Sequence, residues 1–226
     1  MAKQSPLQAA MAAMHRPVYE SRLRALVQLI LPHLREGDRV LDVGCGVGTL
    51  GTALMGASGA PKDLVVEGLE RHVRGGEPIT VHGYEGGRMP FADGAYDVVI
   101  LADVLHHEDN PDELLSECLR VAGRSLIIKD HQIKGPLAQA RVSFIDWAAN
   151  APYGVKCLYR YHTRDEWQAM AKRMGAKVVA EHQSIKLYPM GVNFVFGNKL
   201  QYLAVWQPPA GAGVSAQATP EEDPAS

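Results

Sequence analysis

An acid beside a run of glycines, Asp42 in VLDVGCGVGTLG (residues 40–51), is the first feature of this chain that could do chemistry. Glycines let main-chain amides approach a ligand closely. The stretch carries two overlapping patterns, G-x-G-x-G through Gly44, Gly46 and Gly48, and G-x-G-x-x-G from Gly46 to Gly51. The second is a dinucleotide fingerprint, which would make the chain an NAD-dependent oxidoreductase. It requires the preceding strand to run through Asp42 to Cys45. An unpaired carboxylate would then lie inside a buried parallel strand, which is strongly unfavourable, and two phosphates would sit nearby and repel it. In the first pattern Asp42 ends its strand and faces the ligand, and a positive group on that ligand becomes its partner. The G-x-G-x-G reading is therefore preferred, with Gly51 left as a helix-packing position. Two histidine groups add candidate acid–base chemistry. They are His106 and His107 in ADVLHHEDNP, and His131 in KDHQ. HHED is not read as a metal site, because adjacent side chains are expected to diverge, and no H-E-x-x-H is present.

These residues need elements to position them. Leu23, Leu26, Val27 and Ile30 recur at helical spacing between Val18 and Leu34, and Gly37 follows. RVLDVG is a short strand, and Leu50–Met55 starts the next helix. LVVEGLE (64–70), PITVHGY (78–84) and YDVVILA (96–102) read as three further strands. Asp109 or Asn110 can cap a helix with Pro111 in its first turn and Leu114, Leu115, Cys118 and Leu119 as its apolar stripe. Gly123 is expected to end that helix, and SLIIKD (125–130) is a fifth strand. Thr163 and Glu166 form a capping box before a helix with Trp167, Met170, Ala171 and Met174 on one face. KVVAEHQSIKLY and KLQYLAVWQ close the domain as two strands joined by PMGVNFVFGN.

Strands alternating with helices predict an α/β fold, a doubly wound and mostly parallel sheet with an antiparallel C-terminal edge hairpin. Ligands in such sheets bind at the carboxyl ends of the strands. Residues 1–17 are expected to be a flexible N-terminal segment, 18–207 the folded domain with a cover segment at about 132–162, and 208–226 a disordered tail. A net charge of −2 gives no general attraction to nucleic acid. Three cysteines without a C-x-x-C pair fit a reducing, cytoplasmic setting. No apolar run is long enough for a membrane span.

VLDVGCGVG resembles the signature loop of class I S-adenosylmethionine-dependent methyltransferases. The likeness continues through GLE, GYEGGRMPFADGAYDVVILADVLHH and LLSECLRVAGRSLIIKD, and covers roughly residues 20–206. MPFADGAYDVV points to the broad small-molecule branch. The resemblance implies a Rossmann-like methyltransferase fold with S-adenosylmethionine as cofactor. Asp42 would hold the methionine amine, and Gly44, Gly46 and Gly48 would present backbone to the methionyl and ribose parts. Glu70 would grip the ribose hydroxyls in preference to Glu67, whose presence within a strand is unexplained. Glu85, where the family usually has Asp, would lie near the adenine amine, and Ala102 would place backbone near the sulfonium. Tyr19 and Arg22 could fold over the cofactor.

A small-molecule acceptor is expected, with oxygen as a candidate atom. In similar O-methyltransferases a histidine at the position of His106 serves as base, whereas in many relatives the LHH pair holds its loop by hydrogen bonds. His131 is the second candidate base. No Asn/Asp-Pro-Pro-aromatic motif follows the fourth strand, so nucleic-acid amino methylation is not expected. Asp103 and Asp130 resemble part of the ligand set of metal-dependent catechol-type enzymes, but the rest is not apparent, and no metal is expected. Phe144, Trp147, Tyr153, Tyr159 and Tyr161 could line an acceptor pocket or pack the cover onto the core. Lys156, Arg160 and Arg164 could meet an acidic substrate or form a solvated face. A scaffold that keeps the fold without catalysis is the alternative to an enzyme.

Overall fold

Apolar β-branched runs flanked by turns become the strands of one seven-stranded sheet in the computed structural model, which describes residues 6–150, 158–188 and 197–210. In chain order the elements are α1 (Pro6–Ile30), β1 (Arg39–Val43), α2 (Thr49–Met55), β2 (Val65–Glu70), β3 (Val81–Gly83), β4 (Tyr96–Ala102), α3 (Pro111–Val121), β5 (Ala122–His131), α4 (Ala138–Asn150), α5 (Arg164–Arg173), β6 (Lys177–His182) and β7 (Gln201–Gln207). The strand order is β3-β2-β1-β4-β5-β7-β6. The first five strands are parallel, and β7 runs antiparallel between β5 and β6. The expected doubly wound sheet with an antiparallel C-terminal edge is therefore present. Strand order reverses between β1 and β4, which opens a crevice at their carboxyl ends.

Alternation along the strands divides the core between two faces. Leu41, Val99 and Leu101 pack with Leu115 of α3 and Trp167 of α5. Val40, Val98 and Ile100 face the other way, onto Leu26 and Ile30 of α1 and Leu54 of α2. Trp167 stacks on Tyr202 of β7 at 5.2 Å, fixing α5 against the antiparallel edge. The capping box forms: Glu166 N–H donates to Thr163 Oγ1, and Thr163 N–H donates to the Glu166 carboxylate.

Three local readings differ from the structure. The first helix begins at Pro6, inside the segment expected to be loose, and contains Pro17. Its early part, QAAMAAM, is alanine-rich and favours helix without any apolar periodicity to reveal it. Gly123 lies within β5 instead of ending α3, because Ala122 is already extended. A Cβ at Gly123 would come within 3.3 Å of the Gly94 carbonyl, so close strand packing accounts for this glycine. The expected cover segment, 132–162, for which no helix is predicted, holds α4, whose Ala138, Val142 and Ile145 pack with Tyr161 and Leu200 in a small core of their own. Residues 151–157, most of the PMGVNFVFGN connection and most of the expected tail lie outside the described residues.

Candidate cofactor and acceptor site

β1 ends at Val43, and the chain turns sharply through the glycine loop before α2 begins at Thr49. Gly44, Gly46 and Gly48 all have positive φ, between 58° and 75°. A Cβ at Gly44 would also collide with Val104 at 2.5 Å. The loop therefore needs glycine for conformation and for its approach to the segment after β4. Gly51 has a different reason: a Cβ there would meet Val66 at 2.9 Å, so it lets α2 lie directly on β2.

A cavity of about 360 Å³ opens over this loop, lined by Tyr19, Arg22, Asp42, Gly46, Ala102 and Asp103 among others. Asp42 is 2% exposed, and its Oδ2 has no hydrogen-bond partner among the described residues. Burial, then the nearby Glu70 charge, push its carboxyl up to about 7 against the opposing pull of Arg22. Such a group is unfavourable unless something outside the protein satisfies it. A second cavity, of about 120 Å³, shares Gly44 with the first and is lined by Glu70, Tyr84, Val104 and Leu114. Glu70 closes over the loop, accepting the Gly46 N–H at 2.8 Å with one oxygen and the Arg71 and His72 N–H groups with the other.

The ends of β4 and β5 carry a dense ionic cluster. Asp103 has a φ of +60° and is ion-paired to both Arg22 and Lys129. Burial alone would raise the Asp103 carboxyl, but the two cations hold it well below the usual carboxylate range. Burial pulls the Lys129 ammonium down. Beside this cluster, His106 is 3% exposed and sits between two carboxylates. Its Nδ1 lies 2.6 Å from Asp130 Oδ1, and its Nε2 lies 3.7 Å from Asp146 Oδ1. Burial disfavours its cation, but Asp130 and Asp146 outweigh that and raise it to about 10. His131 is the opposite case: burial, then the Lys129 charge, draw it down to about 4, and its Nδ1 is 3.2 Å from the Gln201 amide.

The methyltransferase domain family matches residues 14–181. The chain belongs to that family. The chain is 27% identical over 154 residues to the botryococcene C-methyltransferase of Botryococcus braunii, covering 62% of this chain and 36% of that protein. It thus spans about a third of that curated relative. A solved S-adenosylmethionine-dependent methyltransferase from Aquifex aeolicus has a TM-score of 0.59 at 18% identity, covering 91% of this chain and 100% of the other. A chain of a Haloferax volcanii complex containing the Trm112 methyltransferase activator has a TM-score of 0.62 at 16% identity, covering 89% and 93%. Both structural likenesses concern the fold.

The structure brings Asp42, Gly44, Gly46 and Ala102 around the larger cavity and Glu70 around the smaller one. Glu85 is exposed on the loop after β3 and lines neither. Arg22 and Tyr19 do reach the cavity from α1. Glu67 now has its reason: it accepts from Tyr96 Oη at 2.7 Å and pairs with His82 at 2.7 Å, tying β2 to its neighbours. Of the aromatic cover residues, Tyr161 is buried and donates to Asp146 at 2.6 Å. Phe144 and Trp147 are 59% and 53% exposed, and Tyr159 is exposed as well. Tyr153 and Lys156 lie outside the described residues. Arg160 donates to the Glu108 and Asp109 carbonyls, and Arg164 pairs with Glu181. Sequence reasoning missed Lys129 and Asp146 as site-building groups. A lysine next to Ile-Ile in a buried strand was the available signal for the first; Asp146 gave none.

Proposed function

We propose that this methyltransferase binds S-adenosylmethionine across the two cavities beside the glycine loop and transfers its methyl group to a small molecule. Oxygen is the first candidate atom. The observation that carries the reading is the buried, unsatisfied Oδ2 of Asp42, which lines a cavity that Arg22 also lines. An anionic and a cationic group on one cavity suit a zwitterionic amino-acid end, such as that of a methionine derivative. A dinucleotide pyrophosphate would meet the Asp42 charge instead.

The cofactor, when bound, supplies an electrophilic methyl carbon on sulfur. Asp42 would hold its ammonium, and Arg22 would face its carboxylate. Glu70 would exchange its bond from Gly46 for the ribose hydroxyls, freeing that amide for the ligand. Gly44 and Gly48 would shape the backbone against it, Ala102 would border the sulfonium, and Glu85 would close toward the adenine. Holding the acceptor in line with the methyl carbon is then the main catalytic demand. His106 is engaged by two carboxylates, which favours the loop-holding role over that of base. His131, drawn down to about 4, is a weak base for a hydroxyl. An acceptor whose proton is already acidic, or absent, therefore suits the site best. The relative named for C-methylation makes carbon the second candidate atom.

Calorimetric titration with S-adenosylmethionine tests the cofactor. We expect saturable binding by the native chain, about tenfold to a hundredfold weaker binding by Asp42→Ala, and no binding of NAD. Near-native affinity in Asp42→Ala would remove the basis of the reading. Transfer of labelled methyl groups into a cell extract would then separate an enzyme from a scaffold and reveal the acceptor class.

A further inference from the structure

The expectation that neighbouring imidazoles diverge does not hold at His106 and His107. They lie in a tight 3-10 turn, Leu105–His107, and their ring centroids are only 4.0 Å apart. Both turn Nε2 toward the same atom, Asp146 Oδ1, at 3.7 and 3.9 Å. All three ligand atoms lie within 4.8 Å of one another. A tetrahedral ion with bonds of about 2.1 Å holds its ligands about 3.4 Å apart, so the two carboxylate–imidazole separations need to close by only a few tenths of an ångström and no pair by more than about 1.4 Å.

The surroundings orient two of the three groups as metal-site shells do. Asp130 holds His106 by Nδ1, which directs Nε2 at the cluster. Tyr161 donates to Asp146 Oδ2, the oxygen other than the one nearest the imidazoles. Carboxylate–histidine pairs of this kind fix the tautomer and orientation of a ligating ring. A second grouping, Asp103 with His106 and Asp130, is also close enough to hold an ion. Asp103, however, is already neutralised by Arg22 and Lys129, and those cations repel a metal from that side.

We infer that His106, His107 and Asp146 form a mononuclear site for a divalent metal, with Zn²⁺ the best-suited ion and one coordination position left for an exogenous ligand. Two imidazole nitrogens and one carboxylate oxygen match that borderline ion better than Mg²⁺ or Ca²⁺. Three protein ligands are the number found in zinc sites that keep an open position. His107 is the 23% exposed member, so the site has access to solvent. It lies just beyond the end of β4, whose last residue, Ala102, the proposed reading sets beside the sulfonium. Metal binding itself does not depend on that reading.

The test uses the full chain, stripped with chelator and titrated with Co²⁺ as the spectroscopic stand-in for Zn²⁺. We expect one equivalent of Co²⁺ to bind with visible d–d bands of tetrahedral intensity, and Zn²⁺ to displace it. His107→Ala should abolish the bands. Asp130→Asn should leave them but weaken affinity about tenfold to a hundredfold. The absence of saturable d–d bands in the native chain would overturn the inference without recourse to any variant. So would undiminished bands in His107→Ala. Both readouts are independent of methyl transfer, so cofactor binding without metal binding would sink this inference alone.

Discussion

Asp42 and Asp103 stand at the ends of neighbouring strands, line the same cavity, and have opposite fates. Asp42 Oδ2 has no partner and its carboxyl is pushed up to about 7. Asp103 has two cations and is held far below the usual range. Burial penalises both; what differs is whether the protein itself supplies the compensating charge. The Asp103 end of the cavity is thus electrostatically complete before any ligand arrives, whereas the Asp42 end is left for a ligand to complete. A binding site is recognisable here by the partner it lacks, and a preorganised one by the partners it has.

The largest effect that can break this comparison is at Lys129. It is 1% exposed and its ammonium is buried against Asp103. Lys129→Met leaves Asp103 with Arg22 alone and should destabilise the fold by about 3–5 kcal/mol, read by urea denaturation. The paired change Lys129→Met with Asp103→Asn should not restore the native stability, because the Arg22 guanidinium then loses its carboxylate as well. A single variant as stable as the native chain would show that the cluster is not what satisfies Asp103.

The sequence foretold one of these two carboxylates and not the other, for a physical reason. Asp42 belongs to a local pattern: glycines with positive φ are needed within six residues of it, and that demand is visible along the chain. The same holds for α5, whose capping box is a signal spanning four residues. The ionic cluster instead joins Arg22 to Asp103 across 81 residues, and Asp103 to Lys129 across 26. No local propensity encodes such pairs. Asp146 is further still from legibility, because it lies on a helix whose alternation of apolar residues was too weak to place. Glu67 shows the same limit from the other side: its partners, Tyr96 and His82, meet it only through the parallel sheet register.

At Asp42 itself the prediction is a pH profile. Its carboxyl titrates at about 7 in the fold and near 3.8 when unfolded, so the folded chain holds the proton to higher pH. The group adds no penalty below about 4; as pH climbs from about 4 to about 7 it progressively lowers the stability of the ligand-free protein, and above about 7 that loss is complete. The gap corresponds to about 4 kcal/mol. Asp42→Asn should erase that slope, so the difference in unfolding free energy between variant and native chain should grow with pH across this window. Cofactor affinity should run the other way in the native chain, rising through pH 7 as the carboxylate forms. A flat difference between the two proteins would mean that Asp42 is already satisfied.

Arg22 gives the smallest and sharpest test, because it touches both halves of the comparison. It pairs with Asp103, and it also opposes the rise of the Asp42 carboxyl. Its side chain is 22% exposed, so screening limits its contribution to stability, and Arg22→Gln should destabilise by about 1 kcal/mol. Asp103 retains Lys129, and its cluster should stay intact. The Asp42 end should respond differently. Without the guanidinium, the Asp42 carboxyl rises further, and the pH midpoint for S-adenosylmethionine binding, followed by calorimetry, should move upward with it. If Arg22 served Asp103 alone, stability would fall by the same small amount while the binding midpoint stayed where it is in the native chain. The two carboxylates would then be independent neighbours instead of two groups sharing one cation.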